Sequence, residues 1–396
     1  MTRHRILVTD GMQRSALAVV RSLGSAGHTV FVCAPRVPSL AGSSKHAFAE
    51  HAVADALEAP AQFVSDVSQL IERWRIDTLI PITESALLAL LPERETLGTL
   101  IPWPDADTFR AISDKKALLE RASALGIAVP AQVTVGARAD LDSLDPALLA
   151  YPLVLKPSRS VGEHDGARVA LGVRHVANAD ALRSELASLP EAAFPLLLQQ
   201  RIVGPGIGIF LLLWDGKAIA TFAHRRLREK PPSGGVSVYS ESVTADAELV
   251  EKSRTLLEQM HWHGVAMVEF KRDASTGIAY LMEVNGRFWG SLQLAIDAGI
   301  DFPALLVRAA AGESQSAPPG YRVGARSRWW WGDVDHLLAR WRKDAASLAL
   351  PAGAPSRLRA TLDFLTFWQS HARNDVFRLR DPRPFLRETI EWLHRR

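Results

Sequence analysis

Short, unbroken apolar runs alternate with amphipathic stretches through the first quarter of the chain. Arg5-Ile6-Leu7-Val8-Thr9 is a continuous apolar run closed by Asp10-Gly11, as expected of a strand buried on both faces. Residues 15–23 follow with helical spacing and end near Gly24 and Gly27. Residues 29–33 and 78–81 are further strands, and 61–74 and 84–91 further helices. Alternation of this kind predicts a parallel sheet with helices on both faces.

The pattern then changes character. Ser113-Asp114-Lys115-Lys116 opens a helix running to residue 124, with Ser113 or Asp114 as its cap and Gly126 at its end. Residues 151–157 form a strand whose apolar run ends in Lys156. A polar loop, 158–166, precedes the strand 167–171, and 196–204 is another strand. Residues 207–213 and 218–223 make a hairpin around Trp214-Asp215-Gly216-Lys217. Residues 265–271 and 280–284 make a second hairpin, turned by Asp273-Ala274-Ser275-Thr276-Gly277. Past Gly312 a Ser/Pro-rich linker, 314–320, leads to helices at 334–342, 356–371 and 384–394.

Composition narrows the classes of function. The 396-residue chain has a formal net charge of only +3, so no nucleic-acid footprint is present in the total and no nucleic-acid partner is expected. The charge is uneven: residues 321–396 hold fifteen Lys and Arg against eight Asp and Glu, and six of the eleven tryptophans. That segment could touch a membrane surface or nucleic acid. Packing against the body, or contact between two copies in a homodimer, is the favoured reading. The longest apolar run, 207–214, is far short of the roughly 18 residues that a membrane span needs. A lone cysteine, Cys33, and the lack of a visible signal peptide fit a cytoplasmic protein. Cys33 is read as a packing residue, since no base accompanies it. The first turn, Thr9-Asp10-Gly11-Met12-Gln13-Arg14, lacks G-x-G-x-x-G, which argues against a dinucleotide. Thr83-Glu84-Ser85, at a strand end, could line a cleft, or Thr83 could simply cap the next helix.

The candidate chemistry centres on the second hairpin. Side chains alternate along a strand, so Glu283 and Asn285 share one face, and hairpin pairing brings Glu269 toward it. Two carboxylates and an amide oxygen are a hard-oxygen set that suits Mg²⁺ bridging phosphates. Glutamates among Val, Met, Phe, Leu and Tyr are costly unless compensated, which disfavours a plain solvated face. Arg287 is placed to hold a phosphate or carboxylate through two parallel hydrogen bonds. Lys115 sits in the first turn of a helix, where a cation is disfavoured unless it meets an anion. Lys156, at a strand end, also needs a counter-charge, and a nucleotide phosphate supplies one. His224-Arg225-Arg226-Leu227-Arg228-Glu229-Lys230 feeds Pro231-Pro232-Ser233-Gly234-Gly235-Val236-Ser237, an arrangement suited to an anionic substrate. Taken alone, a solvated basic loop explains that cluster equally well.

In this order the pieces resemble the ATP-grasp superfamily: Asp114-Lys115 with Gly126-Ile127-Ala128-Val129-Pro130, Val154-Leu155-Lys156-Pro157, the strand from Gln199 to Gly204, His224-Arg225-Arg226, and Glu269 with Glu283-Val284-Asn285-Gly286-Arg287. The likeness covers about residues 1–312. It is greatest to carboxylate–amine ligases whose last motif continues Arg-Phe-Trp-Gly-Ser.

The resemblance implies an α/β fold, with α+β character in the centre. Residues 1–108 would be an N-terminal parallel-sheet domain, 109–195 a small lobe, 196–312 a large lobe holding the metal and substrate site, and 313–396 a helical extension. It implies ATP with two Mg²⁺ (or Mn²⁺) as cofactors, and a small-molecule carboxylate and amine as substrates. Lys115 and Lys156 would touch the phosphates, and Gln199, Gln200, Arg201 and Ile202 the adenine. Glu269, Glu283 and Asn285 would bind metal. Arg287 would steady the transferred phosphoryl group. Arg225 and Arg226 would hold the carboxylate under a loop containing Gly234, Gly235 and Ser237, and Arg226 also counts with Arg287 as catalytic. The sequence departs from the family's pattern at Gln200, where members often carry Glu, and at Ile207, near which a carboxylate often binds ribose. The loop 158–166 has only Gly162 and Gly166. A thiol or bicarbonate acceptor, or a non-catalytic nucleotide-binding role, stands as the alternative.

Overall fold

In a computed structural model, residues 3–164, 167–313, 320–351, 353–366 and 372–395 are described. The first apolar run forms β1 (Arg5–Val8), followed by α1 (Arg14–Ser25), β2 (Thr29–Ala34), β3 (Ala47–Ala52), α2 (Pro60–Trp74), β4 (Thr78–Ile80) and α3 (Glu84–Leu90). The four strands make a parallel sheet in the order β3-β2-β1-β4. Ile6, Leu7, Val8 and the whole of β2 are buried, as continuous apolar strands between helices must be. Of these four strands, only β3 has no counterpart among the expected ones; its sequence, AFAEHA, is half exposed and carries no apolar run.

Two short helices, α4 (Arg94–Leu97) and α5 (Ala106–Ser113), lead into α6 (Lys115–Ala124). Asp114 caps α6 by accepting from the Ala117 amide, and Gly126, at φ +72°, closes it. A second, antiparallel sheet has the order β5-β10-β6-β9, from β5 (Gln132–Val135), β6 (Leu153–Pro157), β9 (Arg174–Val176) and β10 (Leu196–Gln200). The ribbon β7 (Val161–His164) and β8 (Ala167–Ala170) and the helix α7 (Ala179–Ser188) belong to the same region. Of the polar loop expected at 158–166, its last two positions, Asp165 and Gly166, lie outside the described residues. This sheet has its own apolar core, including Val135, Leu153, Leu155, Leu182 and Leu196.

The third sheet is the largest, in the order β15-β14-β11-β12-β13-β16-β17. Its central strands are β11 (Gly206–Trp214), β12 (Lys217–Lys230), β13 (Val236–Ser242), β14 (Gly264–Arg272) and β15 (Ala279–Asn285), with α8 (Ala247–Gln259) inserted after β13. Both expected hairpins are present: β11 pairs with β12 and β14 with β15. The basic run after Ala223 is not a loop, because β12 continues as one strand to Lys230. α9 (Leu292–Ala298) and α10 (Phe302–Ala310) pack between this sheet and α1.

Beyond residue 320 the chain is more than a helical appendage. β16 (Arg326–Arg328) and β17 (Ala372–Asn374) extend the large sheet, flanking α11 (Trp330–Arg342), α12 (Arg357–Leu365) and ending in α13 (Arg383–His394). The linker positions 314–319 and the end of the helix expected at 356–371 lie outside the described residues. Buried ion pairs fasten this region down. Asp333 is fully buried, accepts two bonds from Arg228 at 2.6 Å each, and one from Arg328 at 2.5 Å. Arg21 of α1 donates to Asp381 at 2.9 Å, and Arg14 to Asp375. Among the described residues no helix is long and apolar enough to cross a membrane.

Candidate active site

A cavity of about 670 Å³ opens between the second sheet and the large sheet, and the C-terminal helices close its far side. Its size is in the range of small-molecule and cofactor sites.

At one end stands the hairpin of β14 and β15. Glu269 and Glu283 are direct partners in its register, so both carboxylates leave the same face side by side. Asn285, two residues on, donates from Nδ2 to Glu283 at 3.0 Å. The turn out of the hairpin needs Gly286: a Cβ there would lie 2.4 Å from the Trp262 ring. Arg287 then donates to Asn285 Oδ1 at 3.2 Å.

Three cations meet these carboxylates. Lys115, buried at the start of α6, lies 4.0 Å from Glu283 and donates to Ser160 Oγ at 2.9 Å. Lys156, on β6, is half-buried across the cavity, 3.8 Å from Met282 Sδ. Burial pushes its ammonium pKa down, against the pull of Glu283 and Glu269. Arg226, on β12, binds Glu269 on one side and Glu229 on the other, at 2.9 Å to the latter. Burial works against its charge, yet the two glutamates raise its pKa above the ordinary value. Burial opposes ionisation of Glu269, and the neighbouring Glu283 adds to it, so its pKa is raised despite Arg226. Glu283 is half-buried, and Lys115 and Lys156 hold its pKa below the usual range against its desolvation. Lys115 and Lys156 thus favour the ionised form of Glu283, while burial and the neighbouring carboxylate disfavour that of Glu269.

That donor set fits a hard divalent ion: two carboxylates and an amide oxygen share one face. Among the described residues no group of three or more His, Cys, Asp and Glu side chains is arranged to hold a metal ion, so Asn285 and oxygens from outside the protein would have to complete a coordination shell.

Of the residues singled out in the sequence, Lys156, Gln199, Gln200, Arg201, Ile202, Arg226, Gly234, Gly235, Ser237, Glu269, Glu283, Asn285 and Arg287 all line the cavity. Lys115 stands behind its wall, within reach of Glu283. Arg225 is placed elsewhere. It alternates with Arg226 along β12, points off the cavity, and is held by Glu241 of β13 at 2.7 Å and 2.9 Å. The other cations of the run are matched too, Arg228 by Asp333 and Lys230 by Asp335 at 2.5 Å. The arginine cluster is thus answered mostly by the protein's own carboxylates, and Arg226 is its one guanidinium at the cavity. Thr83 is a helix cap, accepting from the Ala86 amide. Glu84 beside it is buried near Lys115 and Arg287, and burial raises its pKa.

Sequence reasoning missed two groups. His175 on β9 lines the cavity on the side of the second sheet, its imidazole pKa lowered to about 4 by burial and by nearby Arg201, Lys271 and Lys156. At the far end, Gln13 and Arg14 of the first turn, Trp329, Trp331 and Asp335, and Glu388, Glu391 and Trp392 form a wall. The tryptophan-rich composition of 321–396 was the available signal, but it gives no direction for any ring.

Residues 193–331 match a family model described as an ATP-grasp in the biosynthetic pathway with Ter operon. A search of curated protein sequences found no match. Among solved structures the chain is similar to an L-amino acid ligase from Bacillus licheniformis, at 18% identity over 80% of this chain and 76% of that one, with a TM-score of 0.62. It is similar to the N5-carboxyaminoimidazole synthetase of Staphylococcus aureus complexed with ADP, at 18% identity over 82% and 80%, TM-score 0.64. The biotin carboxylase domain of the 2-oxoglutarate carboxylase from Hydrogenobacter thermophilus, a dimer in complex with MgADP, ADP and bicarbonate, is similar at 16% identity over 82% and 74%, TM-score 0.65. At such identities the likeness is one of fold.

Proposed function

We propose that this chain, an ATP-grasp protein by fold, is an ATP-dependent carboxylate–amine ligase. One observation supports this most: two lysines from separate elements, Lys115 buried and Lys156 half-buried, converge on the buried Glu269 and its half-buried register partner Glu283 in a cavity between two sheets. Such a convergence matches the charge of a metal-bound triphosphate. Lys115 and Lys156 hold the phosphates, and the backbone of Gln199 to Ile202 meets the adenine. Glu269, Glu283 and Asn285 hold two Mg²⁺, or Mn²⁺ in their place, which offset phosphate charge when bound. Arg287 steadies the transferred phosphoryl group, and Arg226 orients the substrate carboxylate.

A carboxylate oxygen attacks the γ-phosphorus and the bond to the β-phosphate oxygen breaks, releasing ADP. The amine nitrogen then attacks the acyl carbon, and phosphate leaves with one oxygen from the acid. The nitrogen gives up its extra proton. The turn carrying Gly234 and Gly235, with Ser237 at the start of β13, shields the acyl phosphate from water. No side-chain nucleophile is needed, and the only cysteine, Cys33, is buried with a raised pKa.

Mass spectrometry of released phosphate tests the reading. With ¹⁸O-labelled acid, one labelled oxygen is expected in phosphate for each amide formed; unlabelled phosphate contradicts it. The neighbour complexed with bicarbonate supports a second reading, a bicarbonate-using enzyme of the same fold, which product mass separates from the first. Tight Mg·ATP binding with no ADP formed from any pair of substrates is the outcome of a non-catalytic role.

A further inference from the structure

The far end of the cavity is built, not merely left over. Three indole N–H groups there are tied to acceptors: Trp329 to Glu388 at 2.7 Å, Trp331 to Thr389 at 2.9 Å, and Trp392 to Asp335 at 2.9 Å. Rings pinned at their N–H edges keep a fixed orientation. Trp331 and Trp392 stack with centroids 4.1 Å apart and line the cavity together. Between them and Trp329, Glu388 uses one oxygen for the Trp329 indole. Its Oε2 is buried with no hydrogen-bond partner, the one carboxylate oxygen so left among the described residues.

A buried acceptor without a partner is costly, so such a group points to a donor that arrives with a ligand. A carboxylate flanked by aromatic rings is the chemistry that selects an organic cation. We infer that this end of the cavity binds a cationic ammonium group of the amine substrate other than its reacting nitrogen, with Glu388 as counter-ion and Trp331 and Trp392 as walls. The inference deepens the ligase reading and rests on it, since it assigns the non-reacting cationic group of that substrate to a place in the cavity opposite the two lysines.

The charge around Glu388 is compatible with this. Burial raises its pKa to about 7; the Trp329 N–H and the Arg14 guanidinium pull it down, and Asp375 and Glu391 push it up. Arg14 is itself engaged, bound to Asp375 with its guanidinium 4.0 Å from the Trp329 ring centre. Glu391 is held by Arg387 at 2.9 Å; Lys230, 5.3 Å from the Trp329 ring centre, is bound to Asp335 at 2.5 Å, and Arg395 lines the same end. The carboxylate gains its charge as pH rises through about 7, so ammonium affinity rises between pH 6 and pH 8.

Calorimetry on the full chain tests this with three probes of one shape: benzylammonium, benzyl alcohol and benzoate. Benzylammonium is expected to bind about tenfold or more tightly than benzyl alcohol, and benzoate not at all. Glu388→Gln, which keeps an acceptor for Trp329, should reduce benzylammonium to the level of the alcohol with an unchanged melting temperature. Equal binding of ammonium and alcohol, tighter binding of benzoate, or unchanged ammonium affinity in Glu388→Gln would overturn the inference. If that variant does not fold, the pH arm on the unaltered chain decides: a flat ammonium affinity from pH 6 to pH 8 overturns it and a rise supports it. Mg·ATP titrated into the same samples reads the ligase proposal separately. A chain that binds benzylammonium but not Mg·ATP sinks that proposal and leaves the ammonium site standing.

Discussion

The two ends of the cavity are put together differently. At the glutamate–lysine end, the acidic groups come from one hairpin, where a direct register partnership places Glu269 beside Glu283. At the tryptophan end, the wall joins the first turn of the chain to its last helix; Arg14 and Asp375, bound to each other there, are 361 residues apart. Short-range pairing can be read from alternation and a turn signal. A wall assembled from distant segments depends on where whole elements dock, which no local pattern records.

The contrast explains what was legible. β1, β2 and β4 were plain as continuous apolar runs, and the β14–β15 hairpin as alternation around Asp273–Gly277. Lys115 and Lys156 stood out because a charge in a helix's first turn or at the end of an apolar strand is anomalous. Arg225 was grouped with Arg226 by adjacency, but adjacent residues of a strand face opposite ways, and Glu241 claims Arg225. β16 and β17 were invisible because three-residue strands carry too few positions to show a period. Glu388 looked like an ordinary acid on an amphipathic helix; only docking of α13 against Trp329 buries it.

Substitutions can break or sharpen the contrast between the two ends. The largest effect is expected from Glu283→Ala: loss of the carboxylate proposed to hold metal beside two lysines should lower turnover by about 1,000-fold or more, measured as ADP formation. Lys156→Ala should follow at about 100-fold, with weaker Mg·ATP binding by calorimetry. Asp333→Ala addresses the other end. It leaves Arg228 and Arg328 without their buried partner and should cost about 3–5 kcal/mol in unfolding free energy, read by denaturant titration. Should the C-terminal wall come loose first, protease nicking beyond residue 320 is expected to precede loss of Mg·ATP binding. The smallest effect is expected from Arg225→Ala: its half-exposed guanidinium pairs with Glu241 off the cavity, and its loss should change turnover by less than about fivefold. A large loss there would return Arg225 to the substrate site.

The most direct test replaces the amine with hydroxylamine, which needs no recognition at the tryptophan end. Mg·ATP, a panel of carboxylates and hydroxylamine are incubated with the unaltered chain and with Glu283→Ala, and hydroxamate and ADP are quantified. The glutamate–lysine end, acting alone, should give hydroxamate and ADP in equal amounts with at least one carboxylate, and Glu283→Ala should give neither. ADP without hydroxamate, or undiminished hydroxamate in Glu283→Ala, would contradict the assignment of that end to carboxylate phosphorylation.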